Sequence, residues 1–218
     1  MDIALSTPPV KPRLRGVSHE VAAVAALFAC AGLAGVAPST RARMAALVYG
    51  MSLAILFAAS ALYHRPTWAV PTRQILRRVD HSAIFLLIAG TYTPFCLLLG
   101  GGRGLVLLVA VWTGALLGIV RCIAWVNAPK PLSALLYVAL GWMVVPVVPA
   151  LRSLVGTTGI ALLAAGGIAY TIGAIVYATR WPDPSPRVFG YHEVFHALVV
   201  VAALLHFVVV LSVIQALR

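Results

Sequence analysis

Seven apolar runs, at roughly 18–37, 43–63, 80–100, 104–125, 131–151, 157–179 and 191–216, leave this chain few folds to choose from. Each is about 20 residues or longer, enough for an α-helix to cross the roughly 30 Å hydrocarbon core of a bilayer. Alternating strand-length patterns with turns every ten residues are absent, which argues against a β-barrel. Turn-forming residues separate the runs: Pro38-Ser39, Gly100 to Gly102, Asn127-Ala128-Pro129, Gly156-Thr157 and Pro182-Asp183-Pro184. The expected fold is an all-α membrane protein, a seven-transmembrane-helix bundle. Composition agrees. Of 218 residues, 62% are hydrophobic and 10% charged, against about a half and a quarter in an ordinary globular chain. A soluble domain of this length could not hide so much apolar surface, so membrane lipids are the first partners to expect. A secreted disulfide scaffold, a disordered tail and a DNA-binding domain are excluded.

The formal charge of +11 invites a nucleic-acid reading, but the 16 Lys and Arg are scattered over the gaps between apolar runs. Basic loops in a membrane protein set orientation and meet anionic headgroups. No nucleic-acid partner is expected. Eleven of the 16 fall on the tail and the second, fourth and sixth connections, and five on the opposite side. This bias places the N-terminus in the cytoplasm and the C-terminus outside. Trp68, Trp125 and Trp181 lie near the inner boundary, where amphipathic rings anchor helices. Residues 1–17 are then a cytoplasmic tail and 18–218 the seven-helix domain, with no soluble domain on either side. The first run carries His19 and Glu20 and lacks a small-residue cleavage site, so it reads as a helix rather than a signal peptide. The connection from Arg65 to Val79, with four arginines and Trp68, is expected to lie along the headgroups. Cys30, Cys96 and Cys122 each sit inside an apolar run and carry no disulfide or metal role.

In so apolar a chain the few ionisable groups become informative, because a charge at a helix centre costs about 2.5–3.5 kcal/mol on insertion scales. Ser60 and His64 stand four apart at the end of the second run, and His192 and His196 four apart at the start of the seventh. Residues four apart share one helix face, one turn from each other. Asp80 opens the third run beside His81. With the expected topology, all five groups gather at one depth, on the cytoplasmic side. Three imidazoles with an open fourth position make a catalytic zinc arrangement. Zn²⁺ acidifies water and polarises carbonyls, a nearby carboxylate can take the proton, and a hydroxyl can donate to an oxyanion. His64, His192 and His196 suit the metal, Asp80 the base and Ser60 the oxyanion donor. His19, Glu20 and His81 share that depth and could support the ligands from outside. His206 lies 14 residues beyond His192, roughly 21 Å deeper, and reads as a packing residue.

His192-Glu193-Val194-Phe195-His196 also matches the zincin pattern, in which Glu is the general base. That reading leaves Ser60, His64 and Asp80 unexplained. Glu193 fits equally well as an acid in a first helical turn, favoured by the helix dipole.

The segments KPRLRGVSH at 11–19, SALYH at 60–64, DHSAIFLLIAGTYTP at 80–94 and GYHEVFH at 190–196 together resemble the bacterial hemolysin III family. That family is related to the adiponectin and progestin receptors and, more distantly, to alkaline ceramidases. The resemblance covers nearly the whole chain. It implies a multi-pass protein of a bacterial plasma membrane, with zinc held by His64, His192 and His196, and with Asp80 and Ser60 at the family's aspartate and serine positions. It implies hydrolysis of a lipid amide by analogy with the relatives, or haemolysis from the family name. Three function classes therefore stand: a zinc-dependent hydrolase of a lipid amide or ester, a membrane-perturbing cytolysin, and a sensor that binds metal or lipid without turnover. The cytolysin lacks an amphipathic arm and a row of pore-lining charges.

The charge bias makes a direct prediction. A topology reporter fused after Arg218 should read external, and one inserted in 65–79 should read cytoplasmic. Both reporters on one side would overturn the orientation.

Overall fold

The computed structural model describes residues 11–217. Within them, seven α-helices follow in order: α1 (Val17–Val36), α2 (Thr40–His64), α3 (Val70–Leu99), α4 (Gly101–Ala124), α5 (Lys130–Gly141), α6 (Val148–Thr179) and α7 (Tyr191–Ala216). A 3-10 segment, Trp142–Val147, joins α5 to α6. The described residues form no strand, only an isolated bridge between Ser185 and Phe189. Of the tail expected over 1–17, residues 1–10 lie outside the described residues.

Among the described residues, six helical stretches are long and apolar enough to cross a membrane, one of them the 50-residue stretch Lys130–Thr179. That stretch is not straight. Gly156 leaves helical geometry at φ 73°, ψ 175°, and Trp142 Nε1 donates to Thr171 Oγ1 at 3.0 Å across it. Residues 29 apart on a continuous helix would stand about 44 Å from one another. The chain therefore folds back at Gly156, where the sequence places a Gly-Thr break.

Two expectations need correction. The fifth run is not one helix over 131–151, because α5 stops at Gly141. Pro146 offers no N–H, and its ring clashes with the carbonyl four residues back, at Trp142. Tyr92 satisfies the backbone groups freed there: its hydroxyl donates to Gly141 O at 2.5 Å and accepts from Val144 N at 2.9 Å. Lipid would offer those groups no partner. The segment 65–79 is not a single connection between helices. Only Arg65–Ala69 links α2 to α3, and residues from Val70 onward already belong to α3, with Pro71 in its first turn. Arg, Gln and Leu are good helix formers, and Pro is tolerated at a helix start.

Neighbouring helices pack in chain order, α1 on α2, α2 on α3 and α3 on α4, while α6 packs on α7 and α7 returns to α1. Tyr49, Phe57, Leu33, Val210 and Ile214 lie in the main buried cluster, whereas Phe85, Val111 and Leu107 belong to a second one between α3 and α4. Large apolar side chains also point outward, Phe28 at 76% exposure among them, as a lipid-facing surface requires. Between helices in lipid, small residues let backbones approach. Gly50 is such a point, since a Cβ there would lie 2.8 Å from Cys30 Cα of α1.

Gly50→Ala should accordingly lower thermal stability in detergent by about 1–3 kcal/mol, the usual cost of overpacking. Gly32→Ala meets nothing within 4 Å and should gain up to about 1 kcal/mol from helix propensity. Equal melting temperatures for the two variants would overturn this account of the α1–α2 contact.

Candidate metal centre

The centre forms where α2 ends and α7 begins. A spacing of four residues, about one helical turn, aligns Ser60 with His64 and His192 with His196. Both helix ends are held by local bonds. Trp68 Nε1 donates to Leu62 O at 2.8 Å, occupying a carbonyl that the last turn of α2 leaves free. At α7, Gly190 N donates to Glu193 Oε2 and Tyr191 N to Asp183 Oδ1, each at 2.8 Å. The tail crosses the end of α2 through Gly16, at φ 79°, where a Cβ would lie 2.9 Å from His64 Cβ. Only glycine meets both the positive φ and the close approach without strain.

Ring nitrogens of His64, His192 and His196 lie within 4.8 Å of one another, and all three side chains are buried. His64 Nε2 and His192 Nε2 face each other at 3.1 Å. Asp80 Oδ2 stands 3.8 Å from His64 Nε2. Ser60, also buried, lies against the Asp80 carboxyl. Asp80 does not open its helix, because α3 begins at Val70, ten residues earlier. It reaches the histidines because the first turns of α3 project about 15 Å past them.

The donor set fits a metal. Two facing imidazole nitrogens can share one proton at most, and the third ring brings a further lone pair. His196 Nδ1 and both ring nitrogens of His19 have no hydrogen-bond partner among the described residues. Buried polar atoms of this kind are rare unless something absent from the chain satisfies them. Imidazole ligands suit zinc, copper, iron and nickel, and three of them leave a position open.

The remaining ionisable residues divide clearly. His19 stacks on His196, with ring centroids 3.8 Å apart and planes 6° apart, and is buried. His81 faces Tyr177 and borders the cavity without joining the three-nitrogen group. His206 Nε2 lies 3.1 Å from Leu163 O. Glu20 pairs with Arg65 at 2.7 Å. Glu193 is buried, with one oxygen bonded by Gly190 N and the other paired with Arg15. Both oxygens are committed, which removes the base that a zincin reading needs. The sequence signals an acid in the first turn at Glu193, but nothing in it announces a partner 178 residues away.

A chamber of about 140 Å³ runs from Ser60, Asp80 and His192 to Tyr92, Trp142 and His206. Its walls come from α3, α5, α6 and α7 and are mostly apolar, with Ile84, Ile88, Val138 and Phe195 among them. Along α7, His192 and His206 are about 21 Å apart.

Comparison with known proteins fits this architecture. The family described as "Haemolysin-III related" matches residues 9–207. The chain is 39% identical over 153 residues to "Hemolysin-3 homolog" of Bacillus subtilis (strain 168), covering 70% of this chain and 68% of that protein. It is 40% identical over 131 residues to "Hemolysin-3" of Bacillus cereus, covering 60% and 59%. More distantly, it is 26% identical over 177 residues to "Monocyte to macrophage differentiation factor" of Homo sapiens, covering 76% and 68%.

The Arg15–Glu193 pair ties the tail to α7 beside the centre. Glu193→Ala and Arg15→Ala should each cost about 1–3 kcal/mol in thermal stability, the usual loss for a charged hydrogen bond. The double variant should lose little more than either single one, because the pair acts as a unit. Fully additive losses would show that the two side chains act independently.

Proposed function

We propose that this chain, which belongs to the haemolysin-III-related family, is a zinc-dependent intramembrane hydrolase of a lipid amide or ester. One observation carries the reading. Three buried imidazoles converge beside a carboxylate, and two of them, His192 and His196, line an apolar chamber together with that carboxylate. His64, His192 and His196 would hold the metal. Zn²⁺, when bound, supplies Lewis-acid polarisation of a carbonyl and acidifies water. The chain's own residues do the rest. Asp80 accepts the proton of the attacking water and later returns it to the leaving group. Ser60 donates a hydrogen bond to the oxygen that gains charge. His19, stacked on His196, fixes the plane of that ring. The chamber takes the acyl chain, and its apolar walls keep bulk water from the reacting carbon.

The same reading has seven crossings, with residues 1–17 as a cytoplasmic tail, 18–218 as the membrane domain and the C-terminus outside. The reversal at Gly156 supports the count, since it divides the Lys130–Thr179 stretch in two. The 11-to-5 division of basic residues supports the direction. Relatives in two Bacillus species support a bacterial plasma membrane. The name Hemolysin-3 belongs to the Bacillus cereus relative, and for this chain a buried polar centre gives hydrolysis a basis that cytolysis lacks.

The test pairs zinc content with lipid hydrolysis in the same purified samples. Wild type should hold about one zinc per chain, because three imidazoles are a sufficient protein set for a catalytic site. His64→Ala, His192→Ala and His196→Ala should lose it, and His206→Ala should keep it. Asp80→Asn should keep zinc yet hydrolyse a lipid amide or ester about 10²–10⁴-fold more slowly, the usual worth of a general base. Zinc-loaded wild type inert toward a broad panel of lipid amides and esters would overturn the hydrolase reading and favour a sensor.

A further inference from the structure

A second cavity, of about 840 Å³, opens on the other side of the His64–His192 pair. Its walls differ in kind from those of the apolar chamber. Lys11, Arg15, Arg73 and Arg187 line it, with Asp183 and the edge of His64. Lys11 and Arg15 are held in place by protein groups, while the side chains of Arg73 and Arg187 are exposed. Lys11 Nζ donates to Arg65 O at 2.6 Å and to Pro66 O at 3.1 Å. Arg15 is fixed by Glu193. The wall bearing Arg187 is docked to the tail through Arg13 N to Arg187 O at 3.0 Å and Leu14 N to Val188 O at 3.1 Å. Burial and the nearby charges of Arg15, Arg65 and Arg73 lower the Lys11 pKa, as expected where cations converge.

The charges do not cancel. Four cations meet two acids, Asp183 and the Glu193 that holds Arg15, and both acids also accept backbone N–H bonds at the start of α7. Among the described residues, Arg73 and Arg187 have no anionic partner. Two positive charges in excess match a phosphate monoester, which carries about −1.5 to −2 at neutral pH. Guanidinium groups also bind phosphate oxygens through paired hydrogen bonds.

We propose that this basic vestibule binds a phosphate group, presented by a lipid whose chain lies in the apolar chamber and whose scissile linkage rests at the histidines. His64 lines this cavity and His192 the chamber, 3.1 Å apart, so an amphiphile spanning the two would pass beside these rings. The proposal rests on the hydrolase reading and deepens it by naming the substrate class as an anionic, phosphate-bearing lipid. Ordinary positive-inside bias accounts for basic residues at a membrane face. It does not account for four of them lining one concave wall beside buried histidines.

Binding separates this proposal from the reaction. Purified zinc-loaded full-length protein in a neutral detergent would be titrated by thermophoresis with dihexanoyl phosphatidate, dihexanoylglycerol and inorganic phosphate. Phosphatidate should bind about tenfold or more tightly than dihexanoylglycerol, and inorganic phosphate at least about tenfold more weakly than phosphatidate. The double variant Arg73→Gln/Arg187→Gln should erase the preference for phosphatidate while leaving zinc content and dihexanoylglycerol binding unchanged. Arg103→Gln/Arg152→Gln, outside the vestibule, should leave the preference intact. Equal affinity for the two lipids, or a preference that survives Arg73→Gln/Arg187→Gln, would overturn the site. Inorganic phosphate binding as tightly as phosphatidate would make the ligand a soluble anion and overturn the lipid. If phosphatidate binds as expected but no lipid is cleaved, the hydrolase reading falls and the phosphate site stands. Cleavage of neutral lipids with no phosphatidate preference leaves the hydrolase and removes this site.

Discussion

Lone pairs that meet inside an apolar bundle set the terms for everything around them. His64 and His192 direct ring nitrogens at each other across 3.1 Å, and His196 completes the group. In water each nitrogen would be satisfied by solvent; within a membrane protein it must find a partner or remain costly. A divalent cation would settle the contact, because neutral imidazoles offer their lone pairs and carry no charge of their own. The nearby Asp80 carboxylate would then have a counter-charge within reach that no Lys or Arg side chain among the described residues supplies.

The fold brings these groups together with short connections and capped helix ends. Five residues link α2 to α3, so the end of one helix and the early turns of the next stay adjacent. Asp183 and Glu193 bond the first N–H groups of α7, which fixes the helix that carries two of the three histidines. Glu193 also draws Arg15 onto the same end, and with it the tail that passes over His64. The HExxH pattern thus has a structural division. Its two histidines face the centre, while its glutamate turns away to cap the helix and anchor the tail.

Part of this is legible in the sequence, for reasons that helical geometry explains. The i, i+4 pairs at 60/64 and 192/196 read directly because a helix repeats every 3.6 residues. Their shared depth follows from counting apolar runs, since each crossing reverses direction. The Gly156 reversal is visible as a Gly-Thr break within apolar sequence. Other features are hidden by composition. Arginines mask the start of α3, because a charged stretch beside a membrane reads as a loop even when its residues favour helix. The break at Trp142–Val147 is hidden in the opposite way, by apolar residues that continue through Pro146 without a change in hydropathy. The stacking of His19 on His196 and the Arg15–Glu193 pair join residues nearly the whole chain apart. No local period encodes such contacts.

The two cavities give the polar centre its context. A hydrolytic site needs its reacting bond dry and oriented, yet it also needs a route by which a polar group enters and leaves. Here the histidines sit between an apolar chamber and a basic vestibule, so an amphiphile would reach them without moving its chain into water or its head into hydrocarbon. Each half of such a ligand stays in the medium that suits it. The tail, the start of α3 and the α6–α7 connection supply the four cations of the vestibule. These segments build the vestibule wall, and their cations would contribute least to binding if they were spread evenly along the membrane face. The boundary, more than any single residue, is what turns a metal-binding cluster into a place where a lipid linkage could be held and cut.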